Sequence, residues 1–391
     1  MSRGFVPLLG VPAIVIVSLV AIPIAGHAQT AAAKASASPT IPGAAKTTAP
    51  AKTAASAKTS NFVPPKTAWG DPDLHGIYNY ATSTPMQRPR ALGEKEVLTD
   101  EEAAAAQEKD LATINTDLTP RDQVGNYNDF WMDAKRKLIT GDKRTSLIID
   151  PPSGRMPPPV PPTEAKKKEQ ADLRAMNARF IAGFMQDYRD GDVGNRCIIR
   201  RRNEGGGHPY LPSLYNNMAQ IYQIPGYVII YSEMIHFSRV IPLDGRPHLP
   251  PNVKTWLGDP RGHWEGNTLV VETTNFRSDD AMGHSLGRTG VTWGGTDPDT
   301  YTIVERWTAV GPEQLDYQVT MADPHTWTRP VTMLIPWNKT NEQIYEYACQ
   351  ETNHEIYHWL SSARSREAKG EAYDPIAADR EANAAGGQDE R

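Results

Sequence analysis

Between Ala219 and Cys349 the chain repeats one pattern: a short run rich in Val, Ile, Tyr, Trp and Thr, then a break of Gly, Asp, Asn or Pro. Branched and aromatic side chains suit a pleated, half-buried surface, and each break ends the run before a helix could form. The runs Ala219–Ile224, Tyr227–Ile235, Phe237–Pro242, Gly262–Trp264, Leu269–Asn275, Tyr301–Val310, Gln314–Ala322, Pro330–Pro336 and Gln343–Cys349 are therefore expected as strands. Glu265-Gly266-Asn267 and Leu243-Asp244-Gly245-Arg246 are expected as turns in which Gly supplies a positive φ. Consecutive strands with short links specify a mainly β fold, an antiparallel barrel or sandwich. Pro225–Phe276 gathers the most apolar runs, turns and ionisable groups, and is expected to be its centre and the wall of any binding site.

Two helices precede these strands. Thr99 and Glu102 have capping-box spacing and open an Ala-rich segment that runs to about Ile114. Leu173, Met176, Phe180, Phe184 and Tyr188 recur at helical spacing within Thr163–Tyr188 and predict a core-facing stripe. Between the helices, Thr145–Ile149 reads as a short strand, and the prolines from 151 to 162 enforce an extended arm.

Arg3, an apolar run from about Phe5 to Ile24 and the small residues Gly26 and Ala28 have the order of a secretory signal, with cleavage expected after Ala28. An uncleaved anchor is the alternative, since the run is long enough to span a bilayer, but Pro7, Pro12 and Pro23 interrupt it. The domain plan is a signal over 1–28, an Ala/Lys/Thr/Pro linker over 29–61, one β-rich domain over 62–364 and a charged tail over 365–391. The mature protein is thus expected in the periplasm or secreted, with no membrane span. Residues 1–65 hold five basic residues and no acidic one, so a net charge of −5 leaves about −10 for the remainder. That balance argues against nucleic acid as a partner and reduces Arg200-Arg201-Arg202 to a local patch. Cys197 and Cys349 are the only cysteines; in an oxidising compartment a disulfide is the preferred reading, with catalytic or metal-binding cysteine the alternative.

Several motifs resemble a large, mostly uncharacterised family of exported bacterial proteins. They are Trp69-Gly70-Asp71-Pro72-Asp73-Leu74-His75-Gly76, Arg144-Thr145-Ser146-Leu147-Ile148-Ile149-Asp150-Pro151-Pro152, Leu243-Asp244-Gly245-Arg246-Pro247-His248, the segment from Trp264 to Phe276, and Asp323-Pro324-His325-Thr326-Trp327-Thr328-Arg329-Pro330. The resemblance covers roughly residues 65 to 365 and implies a lipocalin-like barrel, with no activity carried over. The chain departs from the family pattern over Ile198–Gly207 and at Gln350, where His is usual, so no site is transferred to Cys349.

Candidate chemistry comes from ionisable residues set in apolar strands. Sorted by alternation without a bulge, Tyr227, Ile229, Tyr231, Glu233 and Arg239 share one face, and Val228, Ile230, Ser232 and His236 the other, with both faces covered. Glu272, Glu305 and Glu346 fall beside apolar neighbours in later strands. A buried carboxylate must be paired or must meet a wet cavity. The pairing alternative matches Glu233 with Arg239, and Glu272, Glu305 and Glu346 with Arg306 and Arg329. The cavity alternative makes Glu233, His236, Glu272 and Tyr231 candidate catalytic groups, with Arg239, Glu305, Arg329 and Glu346 as ligand contacts. Trp131, Trp256 and Trp293 lie in predicted loops and are candidates for stacking on a flat ligand, with Asp279–Asp299 as a lid; the other tryptophans are expected in the core.

No metal or cofactor is expected. Glu233 and His236 have ligand spacing for a helix but lie in a strand-rich run, and His354 and His358 lack a third neighbour. Serine-hydrolase, phosphate-loop and dinucleotide motifs are absent from the sequence. Three functions follow: an exported barrel that handles a partly apolar or sugar-like small molecule and performs an acid–base step (isomerisation, elimination or hydrolysis), a non-catalytic envelope-binding module, and a metal-dependent hydrolase.

Overall fold

Alternation along the later runs is realised side chain by side chain: from Ile303 to Ala309 and from Leu315 to Met321 every second residue is buried, and those between are half-exposed. The computed structural model describes residues 61–114, 140–191, 193–199, 209–213, 215–277 and 296–374. Ten strands form a single sheet: β1 (Gly76–Asn79), β2 (Ile148–Asp150), β3 (Met218–Ile224), β4 (Tyr227–Ser232), β5 (Ser238–Pro242), β6 (Asp259–Glu265), β7 (Thr268–Thr274), β8 (Thr302–Gly311), β9 (Gln314–Ala322) and β10 (Val331–Thr340). Their order is β5-β4-β3-β1-β10-β9-β8-β7-β6, each pair antiparallel, with β2 attached to β10.

The sheet curls until its two edges meet. Arg239 on β5 reaches Glu305 on β8 and Thr273 on β7 through the interior, and Gly262 on β6 lies under β5. A Cβ at Gly262 would stand 2.8 Å from Ile241 and 2.6 Å from Leu243, so glycine is what lets the seam close. Along an odd path of nine antiparallel neighbours the first and last strands point the same way. β5 and β6 therefore run parallel at the seam, and the connection over 243–258 returns along the barrel instead of forming a hairpin.

Among the described residues, three α-helices lie outside the sheet. Thr99 accepts from the Glu102 amide and Glu102 accepts from the Thr99 amide, which completes the expected box and starts α1 (Asp100–Ile114). α2 (Glu164–Ile181) is capped by Thr163 and is followed by Gly183 at φ 72°, short of the predicted end at Tyr188. Of its predicted stripe, Leu173, Met176 and Phe180 are half-buried, Phe184 just beyond the helix is buried, and Tyr188 is 52% exposed; Phe180 meets Trp359 of α3 (Glu355–Ala368) edge to face at 4.4 Å. Gln343–Cys349 forms no strand. Cys197 and Cys349 form the disulfide, joining this segment to the 193–199 turn. No helix among the described residues is long and apolar enough to cross a membrane.

Candidate functional site

Among the described residues, the barrel interior holds the Arg239–Glu305 ion pair. Arg239 donates from Nη1 to Glu305 Oε1 at 3.0 Å, and from Nη2 to Glu305 Oε2 at 2.5 Å and to Thr273 Oγ1 at 3.0 Å. Tyr317 also donates to Glu305 Oε1, at 2.8 Å. Both charged side chains are sealed from solvent. Burial works against the Arg239 charge, and the Glu305 carboxylate with Tyr210 and Tyr317 more than offsets it, so its pKa lies above the arginine norm. Burial, reinforced by the neighbouring Glu305, pushes the Tyr210 and Tyr317 phenols up.

Aromatic rings close around this pair. Tyr210 lies under the Arg239 guanidinium at 5.9 Å and meets Trp307 at 5.8 Å and Trp337 at 5.3 Å; Trp307 stacks on Tyr317 at 4.2 Å. Three donors within this cluster, Arg239 Nε, Trp307 Nε1 and Trp337 Nε1, are buried without a hydrogen-bond partner, as is Ser232 Oγ nearby on the inner face of β4.

Glu233 and His236 lie where β4 turns into β5. The predicted strand stops at Ser232, and a 3-10 turn follows in which Ile235 has φ 61° and His236 φ 45°. A left-handed, β-branched residue is strained, and Ile235 is held there by burial. Glu233 is buried and accepts from the Tyr345 amide at 3.2 Å, while His236 Nδ1 donates to the Tyr347 carbonyl at 2.6 Å. Both contacts come from the 341–349 segment that the disulfide anchors. Tyr231, half-exposed on the outer face, has its phenol raised by partial burial and then by Glu233 and Glu346.

The turn also corrects the face assignment. Arg239 pairs across from Ile230 and shares its buried side, opposite to the face predicted by counting through from Tyr227. Its partner is Glu305, not Glu233. The outer face of β4 is half-exposed, not covered. Glu272 is exposed on β7, and Glu346 is exposed in a segment that forms no strand, so neither sits in an apolar setting. Arg329 is exposed and binds Asp150 through Nη2 at 2.7 and 2.8 Å. Trp256 is half-buried beneath Arg277, whose guanidinium lies 4.4 Å from its ring. Trp131, Trp293 and most of the Asp279–Asp299 segment lie outside the described residues. Among those described, no three His, Cys, Asp or Glu side chains are grouped to hold a metal.

No protein-family model matches the chain, and no curated protein is significantly similar to it. A solved structure titled as a secretary abundant heat soluble (SAHS) protein from Ramazzottius varieornatus overlaps 32% of this chain and 70% of its own. Identity is 10% and the TM-score 0.20, too loose a likeness to carry an argument.

Two groupings are not legible as sites in the sequence. Trp307 and Trp337 are expected only as core, and nothing in the sequence marks their donors or brings Tyr210 and Tyr317 beside them. His248 was one of several scattered histidines, yet its Nδ1 lies 3.0 Å from Asp259 Oδ2; Asp259 is buried and also accepts from the Leu249 amide and Arg261. The signal available was the spacing of the Leu243–His248 turn from Asp259 across one connection.

Proposed function

We propose that this protein binds a small, partly apolar molecule bearing oxygen acceptors in the aromatic centre of its barrel. The observation that carries the reading is that Arg239 Nε, Trp307 Nε1 and Trp337 Nε1 are all buried and unsatisfied on side chains that lie against Tyr210. A buried donor left without an acceptor costs about 1–3 kcal/mol, so three in one cluster favour a ligand whose carbonyl, ether or carboxylate oxygens accept from them. Glu305 already accepts from Arg239 and Tyr317 and acts as a fixed counter-charge, not as a base. The disulfide and the leader-like N-terminus support action outside the cytoplasm.

The test is titration with cis-parinaric acid, an apolar carboxylate excited by energy transfer from nearby tryptophan. Saturable one-to-one binding is expected. Trp307→Phe and Trp337→Phe keep a ring and lose a donor; each should weaken binding about fivefold, the worth of one hydrogen bond, with little change in Tm. Absence of saturable transfer, or unchanged affinity in both variants, would sink the reading.

A catalytic reading rests on the turn that follows β4. The strained Ile235–His236 turn holds a buried carboxylate and an imidazole three residues apart, an arrangement suited to proton transfer with Glu233 as base.

A further inference from the structure

The barrel centre is already balanced in charge. Among the described residues, Arg239 on β5 and Glu305 on β8 are the charged side chains buried on the inner face of the sheet. Asp259 on β6 is buried too, but it faces the connection over 243–258, where it meets His248 and the Leu249 amide. Glu305 occupies both terminal nitrogens of the Arg239 guanidinium and accepts a third hydrogen bond from Tyr317. The phenols beside the pair are neutral, because burial pushes Tyr210 and Tyr317 up and keeps them protonated. Arg239 Nε, Trp307 Nε1, Trp337 Nε1 and Ser232 Oγ, each without a hydrogen-bond partner, can all donate to an uncharged oxygen. The Trp307 and Trp337 rings stand 4.6 Å apart, so one small molecule spans both.

An anion does not fit this balance. Arg239 alone would call for a carboxylate, yet a second carboxylate would have to share the guanidinium with Glu305. Like charges in a dry interior repel with little screening, and one of the two would be left without a counter-ion. A carbonyl or ether oxygen accepts from the same donors and brings no charge to be buried. We propose that the barrel binds its ligand uncharged, taking esters, ketones and ethers as they are and a carboxylic acid only in its protonated form, a selectivity that rests on the barrel centre being the binding site. Glu305 sets that selectivity: it matches Arg239 and so removes the attraction that an anion would otherwise find.

The experiment compares cis-parinaric acid with its methyl ester on the wild-type protein between about pH 6 and 8. Affinity for the ester should stay constant. Affinity for the acid should fall about tenfold per pH unit, as its protonated fraction does, and a constant ester shows that the fall is not a titration of the protein. Glu305→Gln leaves Arg239 an unmatched cation and should reverse the preference: at pH 8 the acid should bind at least about tenfold tighter than it does to wild type, with little dependence on pH. The wild-type comparison decides by itself if that variant does not fold. An acid that binds as tightly as the ester at every pH, both probes weakening in parallel, or a folded Glu305→Gln variant with no gain for the acid would overturn the selectivity and leave the binding site standing. Failure of both probes to bind would overturn the site, and the selectivity with it.

Discussion

At the scale of single residues, the Arg239–Glu305 pair decides how the barrel tolerates polarity. Two buried charges lose hydration that their attraction regains only with good geometry, and here the pair has two direct contacts, with Thr273 and Tyr317 adding one each and Arg239 Nε left unsatisfied. Removing one partner leaves the other charge buried and unmatched. Arg239→Met and Glu305→Leu should each cost about 3–5 kcal/mol in urea unfolding, while the double variant should recover most of that loss, because an apolar pair carries no such penalty. A loss in the double variant equal to the sum of the two single losses would mean that the charges are not coupled. Both residues were legible as candidates in the sequence, since each stands in an apolar strand. Their pairing was not, because it joins β5 to β8 through the lumen, and alternation within one strand carries no information across a barrel.

At the scale of elements, most strands were legible because their outward and inward residues differ in kind, as along β8 and β9. The failures fall where the backbone leaves the pleat. One 3-10 turn at Met234–His236 reverses the parity of the residues counted after Ser232, and 343–349, with no buried residue, forms no strand. Connections add chemistry that periodicity does not show. His325, after β9, lies 2.7 Å from Asp297, which precedes β8. The hydrogen bond to Asp297 raises the His325 pKa, and the bond from His325 lowers that of Asp297 despite some burial. The raised imidazole stabilises the fold below its unfolded pKa, and this is lost as pH rises through the folded value. The lowered carboxyl stabilises above its unfolded pKa, and this is lost as pH falls through the folded value. The clasp is therefore fully effective between about pH 4 and 6.5. His325→Gln should lower Tm by a small amount inside that window and converge with wild type at pH 9; a Tm difference that grows above pH 8 would contradict the assignment. The pair is exposed, so the effect is modest.

At the scale of the whole molecule, the barrel and the covalent link act on different parts of the chain. The seam of β5 and β6 closes by side-chain packing over Gly262, and β1 and β2 bring residues from before position 151 into the same sheet as β10. The disulfide instead fastens the 341–349 segment, which has no ladder of its own, so that Tyr345 and Tyr347 stay over Glu233 and His236. A cross-link spanning 152 residues lowers the entropy of the unfolded chain by an amount worth about 5 kcal/mol. Two consequences separate. Cys197→Ser/Cys349→Ser should lower global stability in urea by a few kcal/mol, acting through the unfolded state. Under native conditions it should speed hydrogen exchange in 341–349 and 193–199 while leaving β8 and β9 slow, because their ladders do not depend on the link. Uniform acceleration across the sheet would show that the disulfide holds the barrel itself together, and unchanged exchange in 341–349 would show that the Tyr345 and Tyr347 contacts suffice without it.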